Sequence, residues 1–179
     1  GEELVHLAEY IQSPVIMTAE GKGVISDKHP LSLGSLRLRN DPVAKEDPNF
    51  DVILAVGTRL AFPSWLGGQK VIQIDIDPSE IGKSYPATIG IIGDAKTSLQ
   101  QLSEALDTKH IEPKDSYQQD IDEARRQSYA SSVGQYPNEI KTLEGIRSVL
   151  ARDAVVSVDA TVPATVHIDV FPCTNHGLT

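Results

Sequence analysis

The chain has 179 residues and carries 16 lysines and arginines against 25 aspartates and glutamates, for a net charge of −9. A surface this acidic repels phosphate backbones and anionic lipid, so neither nucleic acid nor a membrane is expected as a partner. The 40% hydrophobic and 23% charged composition is that of a soluble globular protein, and the length suits one domain or one domain plus part of another.

Cys173 is the single cysteine, so no internal disulfide can form. Nothing in that usage points to an oxidising compartment, and a cytoplasmic location is the default expectation. No stretch approaches the roughly 20 apolar residues that a membrane span requires. The opening GEELVHLAEYIQ has the wrong charge and polarity for a signal peptide.

Glu2 to Gln12 places Leu4, Leu7, Ala8 and Ile11 at helical spacing, with Glu2 and Glu3 at the positive N-terminal end. A βα fold normally feeds each helix from a strand. The chain is therefore expected to begin after a strand that its parent had. Pro14 to Ala19 reads as a short strand that breaks at Glu20-Gly21-Lys22-Gly23. Such a turn can bring backbone N–H groups and a cation toward an anion, although Gly-x-Gly without a third glycine more often makes only a tight turn. Ser26 to Asn49, with Pro30, Gly34, Pro42, Pro48, Arg37 and Arg39, reads as a long irregular connection.

Asp51 to Val56 is the next strand, stopped by Gly57-Thr58-Arg59. Ala61 to Gln69, with Pro63, Trp65 and Gly67-Gly68, is too short for a long helix. Lys70 to Asp75 is a β-branched run of the kind buried on both faces of a parallel sheet. Asp77-Pro78-Ser79-Glu80 reads as a helix start with Asp77 as N-cap and Glu80 reaching back to it. Asp75 has a different role, because a carboxylate at the carboxyl end of a parallel strand can accept two ribose hydroxyls. The nearby Gly82-Lys83-Ser84 resembles a P-loop tail, but Asp77 stands where that loop needs a glycine.

Ala87 to Ile92 is a further strand, ending at Gly93-Asp94, and Ala95, Leu99, Leu102 and Leu106 then trace a helix. Asp94 can cap that helix or contact a ligand. Four strand ends, at Glu20, Gly57, Asp75 and Gly93, are expected on one edge of one sheet. The expected fold is α/β, an open and mainly parallel doubly wound sheet with a Rossmann-like (DHS-like NAD/FAD-binding) crevice.

Residues 109–137 read as a linker, with Tyr117, Ile121, Ala124 and Tyr129 as a sparse helical stripe. A second start follows, with Ile140, Leu143, Ile146 and Leu150 at helical spacing and Ala154 to Val158 as a strand ending in Asp159. Without a first strand the sheet has an open edge, which invites pairing. Ala154 to Val158 or a neighbouring molecule is expected to fill it.

The order of these pieces resembles the central domain of the thiamine-diphosphate enzymes of the acetolactate synthase, benzoylformate decarboxylase and pyruvate oxidase group. The likeness rests on Gly21-Lys22-Gly23-Val24 with His29-Pro30-Leu31 and Gly34, on Asp51 to Arg59, on Ile74-Asp75-Ile76-Asp77-Pro78 through Lys83, and on Gly93-Asp94-Ala95. It covers residues 1–108. Residues 138–179 are similar to the start of the group's diphosphate-binding third domain, with Asp159-Ala160-Thr161 where many members have Asp-x-Gly.

The resemblance implies a parent lyase or transferase acting on 2-oxo acids with thiamine diphosphate and magnesium. It also implies a fragment that is inactive alone, the parent's remaining domains as partners, and a homo-oligomer. No catalytic or metal residue of the group is matched here. Where members keep FAD or ADP in the central crevice, the matching positions are Gly57, Thr58, Arg59, Asp75, Ile76 and Asp94. Members with an acetolactate-type pattern continue Phe-Asp-Asp-Arg, whereas this chain has Leu60-Ala61-Phe62-Pro63. A free-standing FAD, NAD or ADP module and a purely structural domain are the competing expectations. Cys173 and His176 lie three apart, but the histidines form no further ligand spacing.

Overall fold

The computed structural model describes residues 1–35, 50–61, 68–110, 117–151, 153–157 and 170–173. The expectations placed on Arg37, Arg39, Phe62, Pro63, Trp65, Asp159 and His176 lie outside them. The elements in chain order are α1 (Glu2–Ile11), β1 (Val15–Met17), β2 (Ser32–Ser35), β3 (Val52–Val56), β4 (Lys70–Asp75), β5 (Ile89–Ile92), α2 (Ala95–Thr108), α3 (Gln118–Gln135) and α4 (Pro137–Val149). They fall into two compact units, one of residues 1–13 and 44–116 and one of residues 14–43 and 117–179.

The first unit holds a three-stranded parallel sheet in the order β3-β4-β5. Its middle strand supplies the core because its residues are covered from both sides, with Val71 and Ile74 at 0% and 1% exposure. Side chains alternate across a strand. Ile53, Ala55, Val71 and Gln73 therefore share one face, where Leu60 and Tyr85 close over Ala55 and Val71. Helix α2 contacts β4, and α1 packs on α2. Lys96 reaches Glu3 across that helix pair at 3.3 Å. Helix α1 ends where Gln12 turns left-handed at φ 53° and donates its N–H to the Ala8 carbonyl.

The segment between β4 and β5 departs from its expected form. Asp77-Pro78-Ser79-Glu80 makes a single turn and no helix: the Asp77 carboxylate accepts from the Ser79 N–H at 2.8 Å and its carbonyl from the Glu80 N–H at 3.1 Å. The turn does not propagate because the chain reverses at Gly82, φ 71°, and lies back over the sheet. Ile81 then sits over Gly90, where an added Cβ would stand 2.5 Å from the Ile81 methyl.

The second unit holds a two-stranded parallel sheet of β1 and β2. This corrects two expectations. The strand begun at Pro14 hydrogen-bonds to β2 and does not join β3, β4 and β5, so three strand ends share one edge where four were expected. Strand β2, Ser-Leu-Gly-Ser, lies inside the stretch read as irregular. Where Ile121, Ala124 and Tyr129 gave a sparse helical stripe, residues 118–135 form an 18-residue helix that buries Ile121 and Ser132. Helix α4 buries Ile140 and Leu143, with Val170 and Phe171 in the same cluster.

The expected strand at Ala154 to Val158 is a further correction. Residues 154–157 carry no ladder, and Val155 is 97% exposed. β-Branched residues make a strand only where a partner satisfies the backbone. Among the described residues the strand order of the three-stranded sheet is β3-β4-β5, without residues 154–157.

Candidate site at the carboxyl edge of the three-stranded sheet

The parallel ladder brings the ends of β3, β4 and β5 to one edge. The Gly57 N–H donates to the Ile74 carbonyl at 2.9 Å and the Gly93 N–H to the Asp75 carbonyl at 3.0 Å, so the turns leaving all three strands start in register. Of the six candidate residues, Asp75 closes strand β4, and Gly57, Thr58, Arg59, Ile76 and Asp94 stand on the segments that leave the three strands. At Gly57, φ is 60° and nothing lies within 4 Å of where a Cβ would be. Glycine is needed there for its left-handed backbone and not for space. Thr58 Oγ1 then accepts from the Leu60 N–H at 3.3 Å, leaving Arg59 exposed at the rim.

Asp75 is half-buried, and its Oδ1 accepts from the Asp77 N–H at 2.9 Å. The second oxygen of that carboxylate is the one a ligand hydroxyl could use. Ile76, 74% exposed, lies at the same strand end. Ser79, through its hydroxyl and its N–H, holds the Asp77 carboxyl below the usual range.

Asp94 is the N-cap of α2, its Oδ1 accepting from the Thr97 N–H at 2.9 Å and the Thr97 hydroxyl at 3.0 Å. The Thr97 N–H, then its hydroxyl, hold the Asp94 carboxyl below the ordinary range, about 3.9 for an aspartate. A carboxyl depressed in the folded state contributes stability that is complete above the unfolded value and lost as pH falls through the folded one. Asp94→Ala is accordingly expected to lower the melting temperature at neutral pH and to have little effect near pH 2, where wild type has lost the same contribution. Asp94→Asn keeps an acceptor but not the charge, and is expected to fall between wild type and Asp94→Ala at neutral pH. Thermal melts of the three proteins at both pH values check this.

Gln73 is the polar residue of this region that the sequence reading passed over. It is 1% exposed, and its carboxamide is fully engaged. Nε2 donates to the Thr58 carbonyl at 3.2 Å and to the Glu80 carbonyl at 3.1 Å, and Oε1 accepts from the Gly82 N–H at 2.8 Å. One buried side chain thus ties the turn after β3 to the turn after β4.

The other sequence candidates are held elsewhere. In Gly21-Lys22-Gly23, the Gly21 N–H bonds back to Thr18, and the Lys22 ammonium pairs with Asp27 at 3.2 Å. That is a turn with its cation already matched. Cys173 exchanges backbone contacts with Asp27, donating to Oδ2 at 2.6 Å and accepting from the Asp27 N–H at 2.9 Å. Among the described residues no group of three or more His, Cys, Asp or Glu is placed to hold a metal, and no helix is long and apolar enough to cross a membrane.

Parallel strands that end together, two of them in glycine turns and two with carboxylates at their ends, make this unit an α/β domain with a parallel sheet. Residues 1–102 match the family described as thiamine pyrophosphate enzyme, central domain, and the chain belongs to that family. Among its relatives, a probable acetolactate synthase large subunit of Methanocaldococcus jannaschii is 38% identical over 136 residues, covering 71% of this chain and 23% of the relative. Pyruvate oxidase of Lactiplantibacillus plantarum is 24% identical over 98% of this chain and 31% of its own length. Oxalyl-CoA decarboxylase of Escherichia coli is 31% identical over 56% of this chain and 18% of its own length. The matched region is thus between about a fifth and a third of each relative.

Proposed function

We propose that this chain is the central domain of a longer thiamine-diphosphate-dependent enzyme that decarboxylates 2-oxo acids and joins the product to an acceptor, as an acetolactate synthase does. The isolated chain is inactive in this reading. Thiamine diphosphate supplies the electron sink for decarboxylation, but the described residues offer no metal-binding cluster for its diphosphate, and no chemical step is assigned to them. The parent's other domains, with magnesium, complete the enzyme, and the parent is a cytoplasmic homo-oligomer.

Within that parent, the carboxyl edge of β3, β4 and β5 binds an adenine nucleotide, either ADP or the ADP half of FAD. The supporting observation is the common register of the three strand ends, with Gly57 to Arg59 facing the turn that Asp75 begins. Asp75 takes the ribose hydroxyls. The glycine turn and Arg59 take the diphosphate, and Ile76 offers its apolar side chain to the adenine. Rossmann-like describes this crevice in the functional sense of a nucleotide held at strand ends.

A second reading is a spacer whose edge takes no ligand, and specific contacts favour it. The Asp75 and Asp94 carboxylates already accept backbone N–H groups, and Leu60, at φ 49°, opens a Leu-Ala-Phe-Pro sequence where the acetolactate-type pattern is Phe-Asp-Asp-Arg. Calorimetric titration with ADP, FAD and NAD separates the two. The nucleotide reading expects saturable binding that Asp75→Ala weakens at least about tenfold, the loss of a charged hydrogen-bond acceptor. Silence with all three ligands would leave the spacer. Turnover of a 2-oxo acid by the isolated chain with added thiamine diphosphate and magnesium would contradict its assignment as an inactive part.

A further inference from the structure

We propose that Gln73 is a positioning residue that makes the turns after β3 and β4 open and close as one unit, so that a nucleotide meets both in a preset arrangement. Its ligand-binding half rests on the nucleotide reading of this edge; its structural half stands on the contacts alone.

The coupling follows from what the carboxamide touches. Its two donors and one acceptor go to three backbone groups on two different turns: the Thr58 carbonyl on one, and the Glu80 carbonyl and Gly82 N–H on the other. A neutral amide is the side-chain group that supplies an N–H₂ and a carbonyl oxygen together. Glutamine has the length to reach both turns from the middle of β4. At 1% exposure it cannot exchange these partners for water without opening the structure.

The Thr58 carbonyl fixes the peptide that carries the Arg59 N–H. Glu80 and Gly82 fix the far end of the turn that Asp75 and Asp77 begin through their own carboxylate contacts. Displacing either turn therefore breaks a bond at the same buried side chain. A ligand spanning Asp75 and Gly57 to Arg59 would find both already aligned, which removes an ordering cost from binding.

Amide hydrogen exchange on the full 179-residue chain, followed by NMR, tests the coupling. The reporters are the Gly82 N–H, which bonds to Gln73, and the Leu60 N–H, which bonds to Thr58 Oγ1. In wild type the two amides are expected to share one opening free energy and one denaturant dependence, distinct from those of the Thr97 N–H on the Asp94 cap. In Gln73→Met both are expected to exchange about tenfold faster or more while the Thr97 amide stays unchanged. Independent openings of Leu60 and Gly82 in wild type would overturn the coupling even if the variant did not fold. Acceleration of Gly82 alone would overturn it too.

For the ligand half, Gln73→Met is expected to weaken ADP about as much as Asp75→Ala does. Unchanged ADP affinity in Gln73→Met would remove that half. A wild-type chain that binds no ADP would remove the nucleotide reading itself, and the exchange data would still decide the coupling.

Discussion

Gln73→Glu is expected to cost the chain about 3 kcal/mol or more at neutral pH, because it leaves buried polar groups without partners and adds a buried charge. The change keeps the shape of the side chain and removes both N–H donors. An ionised carboxylate would then face the Thr58 and Glu80 carbonyls, which now accept from the amide. Burial at 1% exposure and these two dipoles both raise the carboxyl's folded pKa above the ordinary value of about 4.3. A group whose folded pKa is raised contributes stability that is complete below the unfolded value and lost as pH rises through the folded one. The deficit against wild type is therefore smallest near pH 4 and grows toward neutrality. Urea titrations of both proteins at the two pH values measure it, and an equal deficit at both would contradict the geometry around Gln73.

Gly90→Val sets two effects against each other. Valine suits a strand better than glycine, and Gly90 is paired with Gln73 in the ladder between β4 and β5. Against that, a Cβ at this position falls 2.5 Å from the Ile81 methyl, inside van der Waals contact. Overpacking of this kind costs about 1–3 kcal/mol, more than the propensity gain of up to about 1 kcal/mol, so the net result is expected to be destabilising. The double variant Gly90→Val, Ile81→Ala is expected to recover most of the loss, since the two side chains share one volume. Simple additivity in chemical denaturation would mean that the turn does not lie over β5.

The elements that could be read from the sequence are those whose stability is local or whose apolar pattern is strong. Val71, Ile72 and Ile74 announced β4, and Leu7 and Ala8 announced the buried face of α1. Asp94 announced a cap because Asp, Thr and a following leucine periodicity sit at the right offsets. Strand β2 was not legible. Ser-Leu-Gly-Ser has no strand composition of its own and exists because β1 pairs with it.

The same reason, reversed, explains residues 154–157, which have strand composition and no ladder partner among the described residues. The Asp77 turn shows the limit of a correct local signal. Asp77 accepts a backbone N–H as a cap does, but Glu80 does not reach back to it: the Glu80 carboxylate pairs with Lys83 and the Asp77 N–H goes to Asp75. The helix does not form, because Gly82 and the Gln73 bond turn the chain back onto the sheet. Gln73 itself carries no mark in the sequence beyond its place among the β-branched residues of β4. Its three partners come from turns 15, 7 and 9 positions away, and strand alternation alone does not encode which of them a buried amide will meet.

Mapping amide chemical-shift changes on the 179-residue chain as ADP is added tests the central claim most directly. The expected result is a saturable set of changes confined to Gly57–Arg59, Asp75–Asp77 and the Gly93–Asp94 turn. Saturable changes centred away from those three turns, or none at ADP concentrations well above those in cells, would contradict the assignment of this edge as a nucleotide site.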